Sequence, residues 1–539
     1  AAGGYDSIGH GDDRCSITQG WCTEMREEYL YPMQPCIKRY NRVTGATIGA
    51  GMSLLTFFLV FLLSGCALGP DYSTPEIDTP TEWTEVDSAY FDFAPPVDPL
   101  WWKKAFQDPE LDQLIAEALS QNLTLRSAGL RVLQAQQLLA IAIGNQFPQQ
   151  QDVSGSALRQ DQNDRIFTNY SLGFNIGWEL DVWGRFSRQV ESSSADLDAS
   201  VAGFDGVIVS LLGQVAQTYI LIRTYQDQLD VIRENIRLQE ESLKIARAKA
   251  DAGEVSELDV NQGESLLYST KASLAKLEIP LQQAKNALAV LLGKPPQDIN
   301  RLLVEKGSIP AVREKIALGM PQDLIRRRPD LRAAERLLAS QCYQIGVSIT
   351  ELYPHLTIGG SIGTSGSNTN ELFRTGSETW SIAGAFSWNI FNYGRLTSNV
   401  RLQDALFQQL LVDYYESVLQ AQAEVENSIV AHLKSQEQLV SYDLAEKAAQ
   451  SAVDISTAQY QEGLIPYDTV INTLFAHLQQ QNQLTTARGD VSTSLVDVFK
   501  ALGGGWEIRE GRDPVELLPE EMKDEMRMRT GQWEGLLER

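Results

Sequence analysis

Histidine and cysteine are scarce, with four and five in 539 residues. The histidines are scattered, and no Cys/His group has the spacing of a metal site. Cys15, Cys22, Cys36 and Cys66 crowd the N-terminal stretch, leaving Cys342 alone in the rest. No intramolecular disulfide can therefore staple the body of the chain, and stability has to come from packing and assembly. Positive charge is also short, 45 Lys+Arg against 70 Asp+Glu, for a net −25. Phosphate binding needs clustered Lys/Arg, so this balance speaks against a nucleic-acid partner. No Gly-rich phosphate loop and no nucleophile–base constellation is present. The expectation is a protein without a cofactor that is not an enzyme. Proline is absent from Arg185 to Ala252 and from Leu396 to Glu462, so nothing there interrupts a helix.

What is present begins with a targeting signal. Lys38, Arg39 and Arg42 precede the mostly apolar run Thr47–Leu63, and Leu63-Ser64-Gly65-Cys66 follows. A basic segment, an apolar segment and small residues at the cut describe a secretory signal. The run is short for a spanning helix, which needs ~20 apolar residues. Leu-Ser-Gly-Cys resembles the bacterial lipobox, which implies acyl chains on Cys66 tethering the protein to a membrane. A plain anchor with an incidental cysteine is the alternative. Residues 1 to about 32 are polar and precede this signal. They read as upstream sequence without function, with Met33 as a sensible start.

The chain then repeats itself. Trp178-Glu-Leu-Asp-Val-Trp-Gly184-Arg185 returns as Trp388-Asn-Ile-Phe-Asn-Tyr-Gly394-Arg395. Ala252-Gly253-Glu254-Val255-Ser256 returns as Glu462-Gly463-Leu464-Ile465-Pro466, and Leu292-Gly293 as Leu502-Gly503. One offset of 210 residues relates all three pairs. A fixed offset over such a length means a duplicated structural unit.

Gly69 to Pro96 is Pro-rich and reads as an extended tether. Asp108-Pro109 is a helix start, and an amphipathic helix is expected to run to about Asn145. Gln149–Leu180 and Leu356–Ile390 read as strand hairpins, with tips at Gln160–Arg165 and Ser365–Asn370. Strands of about ten residues suit an outer-membrane barrel. In the long helices, Leu197, Val201, Phe204, Ile208, Leu211, Val215, Thr218, Ile222, Tyr225, Leu229, Ile232 and Ile236 alternate in steps of four and three. That 3.5 period demands a coiled-coil partner, and Leu212, Leu221 and Val231 suggest a second contact face. The second copy is less regular: Leu411, Tyr415, Val418, Val425 and Ile429 hold the phase before it slips. The chain divides into 1–65 (upstream segment and signal), 66–100 (lipidated tether), 101–306 and 310–505 (two repeats), and 506–539, an acidic tail expected to be solvated.

Lipobox plus Gly69-Pro-Asp-Tyr72, Trp101-Trp102, Asp108-Pro109, Arg328-Pro-Asp-Leu-Arg332, Trp178…Gly184-Arg185 and Gly463-Leu-Ile-Pro466 together resemble the TolC-like outer membrane efflux factors. Within these they resemble the lipoprotein branch, the NodT-type outer membrane component of tripartite RND-type efflux systems. The resemblance spans about Cys66 to Gly503. It implies a mainly α protein with membrane β: three protomers, a coiled-coil α-barrel tunnel and a 12-stranded outer-membrane β-barrel. It implies passive conduction to the exterior, with a periplasmic adaptor and an inner-membrane pump as partners and outer-membrane lipid around the barrel. The turns Gly253, Glu254, Val255, Ser256 and Gly463, Leu464, Ile465, Pro466 would be the adaptor contact. Acidic constrictions in the family lie just beyond the second turn, which maps a gate to Asp468, Asn472 and, in the first repeat, Asp259. Asn472 stands where an Asp is common. Asp468 reads equally as a helix N-terminal Asp favoured by the dipole. Trp178, Trp388, Phe174 and Phe386 fit either a membrane-boundary girdle or packing at the barrel–tunnel junction. Gly184-Arg185 and Gly394-Arg395 read as punctuation turning strand into helix. The alternatives to a channel are a periplasmic adaptor-type lipoprotein and a structural coiled-coil lipoprotein without a pore.

Overall fold

The computed structural model describes residues 67–77, 83–84, 91–92, 98–162, 165–299, 303, 307–312, 316–317, 327–509 and 511–537. The signal segment and Cys66 lie outside them. The first repeat comprises α1 (Trp101–Phe106), α2 (Pro109–Gln121), α3 (Leu123–Gly144), the strands β2 (Gln150–Gln162) and β3 (Arg165–Glu179), α4 (Arg185–Asp251) and α5 (Glu257–Leu291). The second comprises α6 (Pro329–Thr350), β5 (His355–Gly366), β6 (Glu378–Ser387), α7 (Arg395–Gln461) and α8 (Tyr467–Ala501). A parallel ribbon of β1 (Phe91–Asp92) and β4 (Ile316–Ala317) joins the segment before α1 to the segment before α6.

Two expected element boundaries change. The single helix to Asn145 is two, because Asn122 leaves the helical path and caps α3: its Oδ1 accepts from the Leu125 amide at 2.8 Å while its Nδ2 donates to the Leu291 carbonyl at 2.8 Å. The second hairpin's connection runs 367–377, beyond the expected tip, and contains a 3-10 turn at Thr369–Glu371.

Helices α4 and α7 each hold 67 residues. At 1.5 Å per residue each is a rod of ~100 Å. Gly184 and Gly394 stand before them at φ 78° and 81°, a left-handed conformation that lets the strand direction swing into the helix. α4 packs against α3 and α6 near the sheet, and against α5 and α8 farther away, whereas α7 touches α6 and α8. The side-by-side order is thus α7–α6–α4–α3 near the sheet and α7–α8–α4–α5 at the far end. Every residue of the α4 heptad stripe is buried or half-buried. Leu212 adds the second face, but Leu221 is exposed.

The main core sits at mid-length. Trp101 stacks on Phe499 at 4.7 Å, among Leu111, Leu114, Ile115, Ile208, Leu211, Val215 and Leu495. Burying each such side chain contributes about 1.5–3 kcal/mol. The charges admitted there are paired. Arg223 bonds Glu110, and Tyr219 donates to Asp108 at 2.9 Å. Asp205 is fully buried and accepts from Arg509 at 2.6 and 3.0 Å and from Arg332 at 3.4 Å. Burial nonetheless raises the Asp205 carboxyl above its ordinary value, with the two guanidinium groups opposing.

Arg509 belongs to the tail expected to be solvated. Trp506 donates to the Arg327 carbonyl at 2.9 Å, Arg332 lies 4.6 Å over its ring, and α9 (Glu520–Arg529) buries Met526 beside Leu133 and Leu537. The tail therefore wraps the middle of the bundle. The Pro-rich segment is also held: Leu68 donates to the Trp183 carbonyl at 3.0 Å, Arg188 pairs with Asp71 at 2.6 Å, and Thr84 donates to Glu426 at 2.8 Å.

Candidate functional site

Two parts of the fold carry chemistry beyond packing. The first is the sheet. Its order is β2-β3-β5-β6, all antiparallel, and the central β3–β5 pair joins the two repeats. Register separates its faces. Val153, Phe174, Ile362 and Trp380 form one row across all four strands, and Ile176, Gly360 and Ile382 lie in the next. All the large apolar side chains in these rows are exposed. The opposite face holds Asp152, Asn175, Ser361 and Ser381 in one row and Ser154, Gly173, Gly363 and Thr379 in another. Asn175 donates to Asp152 at 2.9 Å and to Ser154 at 3.0 Å; Ser361 and Ser381 hydroxyls meet at 2.8 Å. A Cβ added to Gly363 would lie 2.7 Å from the Leu172 carbonyl oxygen, so glycine permits the close strand approach there. A sheet with one bare apolar face and one hydrogen-bonded polar face is suited to lipid on the first and water on the second.

The second part is the opposite end of the long helices. Both turns close by the same backbone bonds. Glu254 donates to the Lys249 carbonyl and Gly253 to Ala250, both at 2.9 Å; Leu464 donates to Gln459 at 2.9 Å and Gly463 to Tyr460 at 3.0 Å. These are Schellman closures, with Gly253 and Gly463 in the left-handed position at φ 74°. Ser256 caps α5 by accepting from the Leu258 amide at 2.9 Å, whereas Pro466 gives α8 no side-chain cap. Beneath the turns, Ala246, Val453, Tyr460, Tyr467, Val470 and Leu474 form a separate small core. The Tyr460 and Tyr467 rings lie 4.9 Å apart, and Ser242 donates to the Tyr467 hydroxyl at 3.2 Å. Gly263 lies below that ring, where an added Cβ would be 2.9 Å from the hydroxyl oxygen. Lys249 sits 5.6 Å over the Tyr460 ring and pairs with Glu254 at 3.2 Å. The Tyr460 hydroxyl is pushed up to about 12, by burial first and then by the nearby Asp259 carboxylate. Four helix ends, one from each of α4, α5, α7 and α8, are thereby fastened to one another.

The outer membrane efflux protein family matches this chain over residues 114–294 and 320–504, one match on each repeat. The chain belongs to that family. It is 30% identical to nodulation protein T of Rhizobium leguminosarum bv. trifolii over 84% of its own length and 97% of that protein's. It is 30% identical to the toluene efflux pump outer membrane protein TtgI of Pseudomonas putida, over 84% and 98%. The solved structure of the outer-membrane channel OprN superposes with a TM-score of 0.77 at 30% identity, covering 82% of this chain and all of that one. This outer membrane efflux protein is thus of the NodT type and resides in the outer membrane, within a family of channels rather than of enzymes.

The expected gate residues of this efflux protein separate into two environments. Asp468 and Asn472 are exposed, one turn apart on the same face of α8. Asp259 is half-buried and bears on Tyr460 and Tyr467 instead. Among the described residues no hydrogen bond joins Asp259 to Asp468 or Asn472. Gly253, Glu254, Ser256, Gly463, Leu464 and Pro466 are exposed at the end of the bundle, with Val255 and Ile465 half-buried. Trp178 and Trp388 sit at the base of the sheet, their indole N–H groups donating to the Gln146 and Leu352 carbonyls at 3.2 and 3.0 Å. The tyrosine core was not foreseen. One signal pointed to it: Tyr460 and Tyr467 flank the second turn, while the first copy has Ala250 and Glu257 at the matching places.

Proposed function

We propose that this protein is the outer-membrane channel of a tripartite efflux pump, a homotrimer that conducts substrates passively from a periplasmic adaptor and inner-membrane pump to the exterior. One observation carries the reading. The four-stranded sheet has one bare apolar face, yet β2 and β6 each end it with an unpaired edge in one chain. Unpaired backbone groups are costly in lipid, so such a sheet has to close on itself. Four strands cannot enclose a water-filled lumen; twelve, from three copies, can. The outward stripe of α7 supports the same assembly. Leu402, Val412, Leu419, Val430, Val440 and Leu444 share the two core positions of one heptad frame and are bare. At the other side of the protomer, α3 leaves Leu138 and Ile141 exposed, and α5 leaves Leu258 and Ile279. Helix edges of this kind suit neighbours in a closed tunnel wall.

In this reading Cys66 carries lipid, the turns at Gly253–Ser256 and Gly463–Pro466 meet the adaptor, and the tyrosine core holds the tunnel end shut. Opening swings the α7–α8 hairpin away from α4–α5 and parts Tyr467 from Ser242. Asp468 faces the constriction, where three carboxylates around one axis attract cations; Asn472 adds a neutral polar ring. Relatives named for cation efflux, solvent efflux and pyoverdine export suggest that the channel is not the selective part. The test is single-channel recording of the purified protein in planar bilayers after its mass is measured. Discrete steps from a trimer, with resting conductance raised by Asp468→Ala, support the reading; a silent monomer refutes it.

A further inference from the structure

Two arginines face a cavity without a carboxylate to match them. Elsewhere the acidic chain supplies partners: Arg188 pairs with Asp71, Arg223 with Glu110, Arg327 with Glu507 and Arg328 with Glu424. Arg126, at the start of α3, has only the Ser120 carbonyl, to which its Nη2 donates at 3.2 Å. Its Nε is buried and, among the described residues, donates to nothing. Arg512 of the tail donates to the Ile508 carbonyl of its own segment at 3.1 Å. Neither has an ion-pair partner among the described residues, in a chain of net charge −25.

Both side chains line one cavity of about 770 Å³, enclosed by the α2–α3 junction, α4 and the tail. Leu119, Leu125, Ile208, Ile508 and Leu517 make its walls largely apolar. The third arginine on the wall, Arg509, is matched by Asp205. Two carboxylates stand at the rim: Glu520 pairs with Lys523 at 2.8 Å, and the exposed Glu521 pairs with neither arginine. An apolar cavity of this size with a few convergent polar groups is the usual form of a small-molecule site. A buried N–H without an acceptor costs free energy that a bound acceptor restores. A guanidinium presents a planar fork that matches two oxygens of a carboxylate or phosphate.

We propose that this cavity binds an amphiphilic anion, with a carboxylate or phosphate head held by Arg126 and Arg512 and an apolar body over Leu125 and Ile208. Both parts are needed. A head without a body leaves the apolar wall wet, and a body without charge leaves the two guanidinium groups unmatched. The arginines belong to distant parts of the chain, Arg126 to the first repeat and Arg512 to the tail. A bound anion therefore clips the tail to the bundle, one turn of α4 from the Asp205–Arg509 pair. The cavity lies within a single chain and stands whether or not the pore assembles.

Hydrogen exchange of the full chain in phosphatidylcholine nanodiscs tests the site, because it separates binding at the tail from partition into lipid. The probes are octanoate, octyl phosphate, 1-octanol and inorganic phosphate, each titrated. A ligand that binds only the docked tail slows exchange in proportion to 1 + [L]/Kd, roughly tenfold at about ten times Kd. The expected result is that slowing at amides 511–521 and 116–126 with octanoate, octyl phosphate or both, and little change with 1-octanol or inorganic phosphate. The anion that protects at the lower concentration tells a fatty-acid carboxylate from a lipid-type phosphate. Arg126→Gln and Arg512→Gln each remove the protection while amides of the tyrosine core keep their rates, and Glu521→Gln strengthens it. Arg512 is exposed, so its variant keeps the fold even where Arg126→Gln does not. No slowing by either anion overturns the proposal, as does equal slowing by 1-octanol or protection that survives both arginine variants. Equal protection by inorganic phosphate overturns the apolar body.

Discussion

Replacing Tyr467 by alanine removes the ring around which the four helix ends are fastened. The side chain is 2% exposed, lies against Tyr460 at 4.9 Å, and accepts a hydrogen bond from Ser242. Gly263 lies below it with no side chain to fill a void. Truncating a buried aromatic costs ~3–5 kcal/mol where the surroundings cannot collapse. The tip is small and near solvent, so the lower figure applies. At 1.36 kcal/mol per decade, ~3 kcal/mol shifts the closed-to-splayed ratio of one protomer's tip by roughly 150-fold. Tyr467→Phe keeps the ring and loses only the hydroxyl bond, ~1 kcal/mol or roughly fivefold. Hydrogen exchange resolves this: amides of residues 240–262 and 455–475 exchange about two decades faster in the alanine variant, with a small change for phenylalanine. Amides around Trp101 and Phe499 keep their protection, because a separate core holds them. Resting conductance rises in the same order. Equal exchange in all three proteins would refute the clamp, as would loss of protection at the mid-length core in step with the tip.

His432 is 1% exposed between α7 and α8, with its Nδ1 3.0 Å from the Ser494 hydroxyl, and burial lowers it from 6.5 to about 4. The unfolded chain binds this proton at higher pH than the folded one, so stability falls as pH drops from about 6.5 to about 4, by ~3 kcal/mol, and not further below. Denaturant titrations across that window should show the slope, and His432→Gln should flatten it; an unchanged slope would locate the pH dependence elsewhere. Gly463→Ala forces a side chain into φ 74° at a position with open space around it, so the loss of ~1–2 kcal/mol is purely backbone. Limited proteolysis should cut that variant faster at 459–466 while the melting temperature holds, and unchanged cleavage would mean that the turn does not depend on glycine.

The duplication, the two hairpins, the proline-free rods and the turn glycines were legible because each rests on local pattern. A period of two, a period of 3.5 and a glycine at φ 74° leave marks within a few residues of sequence. The heptad stripe of α4, written out from Leu197 to Ile236, is buried or half-buried along its whole length. Other features depend on residues far apart in the chain. Asp205 and Arg509 are 304 positions apart, and no periodicity announces their pairing. The tail looked solvated because its 506–539 composition is charged, yet Arg509, Trp506 and the buried Met526 hold it to the bundle. The split at Asn122 was hidden for the same reason, since its amide is anchored by a carbonyl 169 residues away.

Sequence alone therefore determined the kind of object this is: a twice-repeated unit of strand hairpin and long coiled-coil helix, in an acidic chain. Tertiary structure decided the rest. It set the sheet order that leaves β2 and β6 open, the separation of Asp259 from the exposed Asp468, and the tyrosine core below the turns. The physical reason is that periodicity specifies which face of an element is apolar, whereas the choice of what covers that face is made by packing between elements hundreds of residues apart.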